Sequence, residues 1–194
     1  IQKEIERKNG ILISIPTVAG LVIGASWKGY LQDLEVAALD SFFLVRTQEK
    51  LDERITIVGI SDRDIERIGK WPIDDAMLSQ LIEKIKSQKP TAIGIDLYRN
   101  LPVEPGYQKL INTFKTTPNL IGVEKSIGDT IPPAPALAEQ DRVAMADLLL
   151  DPDGRIRRAL IASYTKDGQM KLGLATKLAL MYLQEKNISL ENIA

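Results

Sequence analysis

The spacing of hydrophobic and polar positions changes several times along this chain, and each change marks an element. From Asn9 to Trp27 no charged residue occurs, and a run of that length suffices to cross the hydrocarbon of a bilayer as a helix. From Gly29 to Arg46 apolar residues recur every three or four positions. Leu31, Leu34, Ala38, Phe42 and Val45 form the stripe, with Asp33, Glu35 and Asp40 elsewhere. This pattern predicts that the helix continues as an amphipathic stalk over 31–46. A charged linker, 47–54, separates it from ITIVGIS, which predicts a first strand at 55–61. The helical period then returns for a short helix at 62–68, started by Ser61 or Asp62 and ended by Gly69. A longer helix is predicted at 74–88, burying Met77, Leu78, Leu81, Ile82 and Ile85.

The nearly continuous apolar run TAIGIDLY predicts a second strand at 91–98, followed by a helix at 107–115 and a third strand at 120–124. Strands alternating with helices imply right-handed crossovers and a parallel sheet covered on both faces. Residues 126–142, with Pro132, Pro133 and Pro135, read as an irregular connection. Segments 143–150 and 155–164 flank Asp151-Pro152-Asp153-Gly154, a β-hairpin signal with Asp-Gly supplying the turn. A last helix, 172–186, buries Leu174, Leu178 and Met181. The predicted fold class is α/β: a mixed, mainly parallel sheet flanked by helices on both faces, with a β-hairpin in the C-terminal half and a long N-terminal helix.

Composition narrows the chemistry. At 194 residues and 44% apolar, the chain holds one good-sized domain with a real core. A net charge of -1 argues against nucleic acid, which needs a concentrated excess of Lys and Arg. The chain has no Cys and no His, which excludes thiol nucleophiles, Ser-His dyads, ordinary zinc sites and disulfides. No cofactor is expected, and no metal. The chain opens on Ile1 rather than Met, as expected of a piece of a longer protein.

Lys3, Arg7 and Lys8 precede the apolar run and only Lys28 closely follows it. The positive-inside bias therefore predicts a cytoplasmic stub and a membrane-spanning helix within 1–30, with 31–194 outside the cytoplasm. Gly20 and Gly24 form a GxxxG spacing that permits close helix packing, and with it a homodimer.

Asp62 and Asp64 after the first strand and Asp96 in the second form the one carboxylate constellation of note. Asp62 and Asp96 brought together offer oxygen ligands or a pocket for a cationic group. Equally, Asp62 caps a helix and Asp96 pairs with a buried arginine. Arg157 is either that internal partner or part of a solvated basic strand with Arg155 and Arg158. Asp151–Gly154 lacks the later ligands of a calcium loop and reads as a turn. Trp71-Pro72 reads as a packing anchor. No GxGxxG, phosphate loop or GxSxG is present.

Several segments together resemble the type-two CHASE domain. These are Leu39-Asp40 with Arg46, IVGISDRDIERIGKWPI at 57–73, AIGIDLY at 92–98, DPDGRIRRA at 151–159 and LGLATKLAL at 172–180. They keep the family's order and span most of 31–186. The resemblance carries over to Asp40, Asp62, Trp71, Pro72, Asp96, Asp153, Gly154 and Arg157. Ser61 stands where an acidic residue is often found. The resemblance implies the extracellular or periplasmic input domain of a membrane-bound bacterial receptor. Further membrane helices and a cytoplasmic cyclase, histidine kinase or similar output would follow it. The signal would be a small molecule or a protein, and the domain itself would not be an enzyme. Two other readings stand beside it. One is a carboxylate- and metal-dependent hydrolase using Asp62 and Asp96. The other is an extracellular protein-docking scaffold, with a large apolar surface patch and no closed pocket.

Overall fold

The structure, a computed structural model, describes the backbone of residues 2–165 and 167–188, with side chains from Ser14 onward. The chain forms two units, residues 1–58 and 59–194.

The first unit holds α1 (Gln2–Trp27) and α2 (Gln32–Val45). The expected unbroken passage between them does not occur. Residues 28–31 make a turn around Gly29, whose φ of 79° is a conformation that favours glycine. The side chains of residues 1–13, where the expected membrane span begins, lie outside the described residues. Among the described residues, no helix is long and apolar enough to cross a membrane. No residue of α2 is buried.

The strand expected at 55–61 is also not formed. Residues 55–61 carry no regular structure, and Ile57 is 88% exposed. A β-rich composition stabilises a strand only through a ladder and a packed face. Here the three ladder strands come from later segments.

The second unit begins with α3 (Asp62–Ile68) and α4 (Asp75–Ser87), followed by β1 (Ile93–Gly94), α5 (Tyr107–Lys115) and β2 (Leu120–Glu124). Then come α6 (Pro135–Ala138), β3 (Val143–Met145), β4 (Leu149–Leu150), β5 (Ile156–Arg158), β6 (Ala162–Tyr164), β7 (Met170–Leu172) and α7 (Leu174–Glu185). The order β1-β2-β3 makes a three-stranded sheet, parallel throughout. Its register sets Ile93 beside Leu120 and Gly122 beside Val143. The helix at 107–115 and the strand at 120–124 have the predicted bounds. Thr91–Tyr98 contracts to the two paired residues Ile93 and Gly94, with the Ile95 N–H still donating to Ile121 O at 2.9 Å.

The predicted hairpin is present but shorter. Val143–Met145 leaves its first arm to pair parallel with β2, and Leu149–Leu150 alone pairs antiparallel with β5. Ala162–Tyr164 leaves its second arm to pair with β7 in a hairpin that the sequence pattern did not signal. The proline-rich connection contains α6, with Pro135 at its first helical position, where a missing N–H costs nothing.

The core sits where α4 and α5 meet the sheet. Leu78 and Ile82 on α4, and Leu110 and Phe114 on α5, repeat at four residues and are buried with Ile73, Leu120 and Leu137. Each such side chain contributes about 1.5–3 kcal/mol by leaving water. Two glycines set how closely helices approach the strands. A Cβ at Gly94 would lie 2.7 Å from Leu178 Cδ1 of α7, and one at Gly122 would press on Leu137 of α6. On α7, Leu174, Leu178 and Met181 are half-buried rather than buried.

Candidate functional site at the carboxyl edge of the sheet

Three parallel strands bring their carboxyl ends to one edge, and each end there carries an acidic residue. Asp96 lies two residues past β1, Glu124 is the last residue of β2, and Asp147 lies two past β3. This edge is where open α/β sheets bind ligands. The Asp147 carboxylate accepts from the backbone N–H of Ser126 at 2.9 Å and of Ile127 at 2.8 Å, tying the loops after β2 and β3 together. Glu124 is buried and pairs with Lys171 Nζ from β7, while Ser126 Oγ donates to it at 3.0 Å. Tyr98, in the loop after β1, has its phenol pushed up by burial, then by the charges of Asp147 and Asp96. Asp96 itself is exposed and, among the described residues, has no hydrogen-bond or ion-pair partner. The edge thus offers a free carboxylate and a phenol, groups suited to a cation or a hydrogen-bond donor. No cluster of three or more metal-ligating residues occurs among the described residues.

The loop that carries Asp96 and Tyr98 is fastened to the start of α4. Asp75 N–H donates to Val103 O at 2.8 Å, and Val103 N–H returns to Asp75 Oδ2 at 2.8 Å. Ala76 N–H donates to Pro105 O at 2.9 Å, beside Gly106, whose φ of 108° and contact with the Ala76 backbone admit no side chain. Arg99 Nη2 donates to Ile73 O at 2.9 Å, and its Nη1 lies 3.6 Å from Asp75 Oδ1. Burial pulls the Arg99 pKa down, against the opposing pull of Asp75 and Asp74. Asp74 caps α4 through Met77 N–H at 2.7 Å and pairs with Lys70 at 2.9 Å; these contacts, Lys70 first, hold its carboxyl below the usual range.

The residues singled out from sequence occupy separate places. Asp62 is the first residue of α3, and the cap there is Ser61, with Asp64 returning to the Ser61 N–H at 2.9 Å. Arg157 lies in the β4–β5 hairpin with Asp151 at 2.9 Å and Asp153 at 2.6 Å, around the turn at Gly154. It therefore sits with the turn acids rather than with Asp62 or Asp96. Asp40 is half-buried on α2. Trp71 is half-exposed, Pro72 is exposed, and Ile73 is the buried residue of that trio. Gly20 and Gly24 on α1 face open space.

Sequence reasoning passed over Tyr98, Glu124, Asp147, Lys171 and the Asp75–Arg99 pair. One signal was available for Glu124, since a charged residue ending an apolar strand of a parallel sheet lies at the binding edge. Asp75 and Arg99 are far apart in sequence and carry no local signal.

The family model for the CHASE2 domain matches residues 17–193. Neither the curated proteins nor the solved structures compared with the chain gave a match.

Proposed function

Because the chain belongs to the CHASE2 domain family, a sensory family of signalling receptors, we propose that it is the extracytoplasmic input domain of a membrane-bound receptor. In this reading residues 1–30 anchor the chain and residues 31–194 lie outside the cytoplasm. A stimulus read by the domain passes to a cyclase, kinase or similar output on the other side of the membrane. The observation that carries the sensing role is the carboxyl edge, where exposed Asp96 sits in a loop fastened to α4 and Asp147 ties together the loops after β2 and β3. A small molecule or peptide with a cationic group fits that edge. It could bias the loop only by binding its alternative arrangements with different affinity. The anchor is supported by the uncharged run up to Trp27 and by the exposure of Ile15, Leu21, Ile23 and Trp27 on α1. The open apolar depression on that helix is lined by Ile15, Val18 and Val22 among others.

Topology tests the reading most directly. Alkaline phosphatase fused after Ala194 is expected to be active in intact bacterial cells, and a green fluorescent protein fused there to stay dark. The opposite pair of outcomes overturns the placement.

A further inference from the structure

Glu124 ends β2, the middle strand of the sheet, and its side chain is only 9% exposed. A carboxylate buried that far needs a charge partner, and here the partner comes from a distant part of the chain. Lys171, the central residue of β7, sets its Nζ on Glu124 Oε1, the oxygen that also accepts from Ser126 Oγ at 3.0 Å. The lysine side chain is 34% exposed, so the pair is open to solvent from the lysine's side. The backbone of Lys171 is held opposite Ser163 in the β6–β7 ladder. Two residues on, Gly173 N–H donates to Ile161 O at 2.9 Å and Gly173 bridges to Met145 of β3; α7 begins at the next residue, Leu174. The lysine that neutralises the end of the central strand therefore sits on the strand that leads into α7.

We propose that Lys171 is the chain's own occupant of Glu124, an autoinhibitory contact, and that a ligand's primary ammonium displaces it and unties the β6–β7 hairpin from the end of β2. This rests on the sensory reading and names the group by which the ligand is taken. A primary ammonium replaces what Lys171 supplies, a positive charge and N–H donors on a slender alkyl stem. A quaternary ammonium has no N–H to donate and brings methyl groups to a place now filled by a methylene chain. Held by the ladder, Lys171 acts at a high effective concentration, so a lone amine competes poorly and a ligand needs further contacts along the edge to win. The two ammonium groups compete for one carboxylate. The ligand therefore binds the untied arrangement and not the tied one, which is the differential affinity that a signal requires. A hairpin of two short strands is marginally stable in water by itself, so β6–β7 loosens when this tie is lost.

Rescue of a lysine-free variant by n-butylammonium tests it, on the full chain in neutral detergent. Lys171→Met is expected to lower the thermal midpoint, and about 100 mM n-butylammonium to raise it again by about 2–4 °C. Tetramethylammonium at equal ionic strength is expected to have no such effect. The natural protein, its site occupied by Lys171, is expected to respond to n-butylammonium much less. Glu124→Gln/Lys171→Met is expected to lose the response. Hydrogen exchange over 162–172 is expected to be several-fold faster in Lys171→Met than in the natural protein, and to stay fast when n-butylammonium restores the midpoint, with 107–124 unchanged. Lys171→Ala serves as a second variant should Lys171→Met give no cooperative transition. Equal responses to the two ammonium ions, a response that survives Glu124→Gln, unchanged exchange over 162–172, or two variants that fail to fold even with n-butylammonium present overturns the proposal. Alkaline phosphatase activity after Ala194 is independent of all these outcomes, so failure of the displacement and failure of the extracytoplasmic placement are told apart.

Discussion

Arg99 and Arg157 each leave 4% of the side chain exposed, yet they are held in opposite ways. Arg157 closes a short loop. Asp151 and Asp153 lie within six residues of it, with Nη1 donating to Asp151 at 2.9 Å and both Nη atoms engaging the Asp153 carboxylate. Arg99 reaches across the fold to Asp75 at 3.6 Å, and both Asp75 Oδ1 and Arg99 Nε are without a hydrogen-bond partner. A local pair of this kind forms with little loss of chain entropy, because its members are already neighbours in the unfolded chain. The long-range pair can form only once α4, β1 and the intervening loop are in place. It therefore reports on the whole arrangement and is the more fragile of the two.

The largest effect is expected at the long-range pair. Asp75→Ala removes the charge facing a buried guanidinium and the carboxylate that accepts from the Val103 N–H. It should cost about 3–5 kcal/mol and lower the thermal midpoint by roughly 10 °C or more, read by circular dichroism of the chain in neutral detergent. Asp75→Leu combined with Arg99→Met should recover most of that loss, since a buried pair replaced together by apolar groups leaves no stranded charge. A double variant as unstable as Asp75→Ala would show that the pair does more than neutralise itself.

Gly106→Ala comes next. It forces a side chain into a left-handed conformation against the Ala76 backbone, and a cost of about 2–3 kcal/mol is expected. An unchanged urea midpoint would break the view that close approach of the loop to α4 holds this region.

The smallest effect is expected at Arg157, and it is one of pH. The Asp151 and Asp153 carboxyls are held below their ordinary value of 3.8, chiefly by hydrogen bonds from Arg157. Their folded-state pKa values are depressed, so their stabilisation is present above that value and is lost as pH falls through and below it. Arg157→Ala should therefore change stability modestly near neutrality and flatten the fall of the urea midpoint below about pH 4. Parallel acid limbs for the two proteins would show that the hairpin acids are not held by Arg157.

The same contrast explains what could be read from the residues beforehand. The turn Asp151–Gly154 and the cap at Gly69, with φ of 76°, are determined by neighbours in sequence and were found there. So were α5 and β2, whose apolar spacing is complete within each segment. Ile55–Ile60 has the composition of a strand, but whether it pairs depends on what lies alongside, and local pattern holds no record of that. For the same reason the apolar run at 91–98 predicts a longer strand than β1, and the pattern over 143–150 places β3 in the hairpin rather than in the sheet. At the candidate site, Asp96 was visible because it interrupts an apolar run. Tyr98, Asp147 and Lys171 became neighbours of the edge only through the strand order.

Gly94 has a mechanical consequence. With hydrogen in place of a side chain, the β1 backbone packs directly against the Leu174 and Leu178 side chains of α7. Any larger residue at position 94 would press on Leu178 Cδ1 first, so that leucine, or the helix carrying it, would have to give way beside the strand that ends near Asp96.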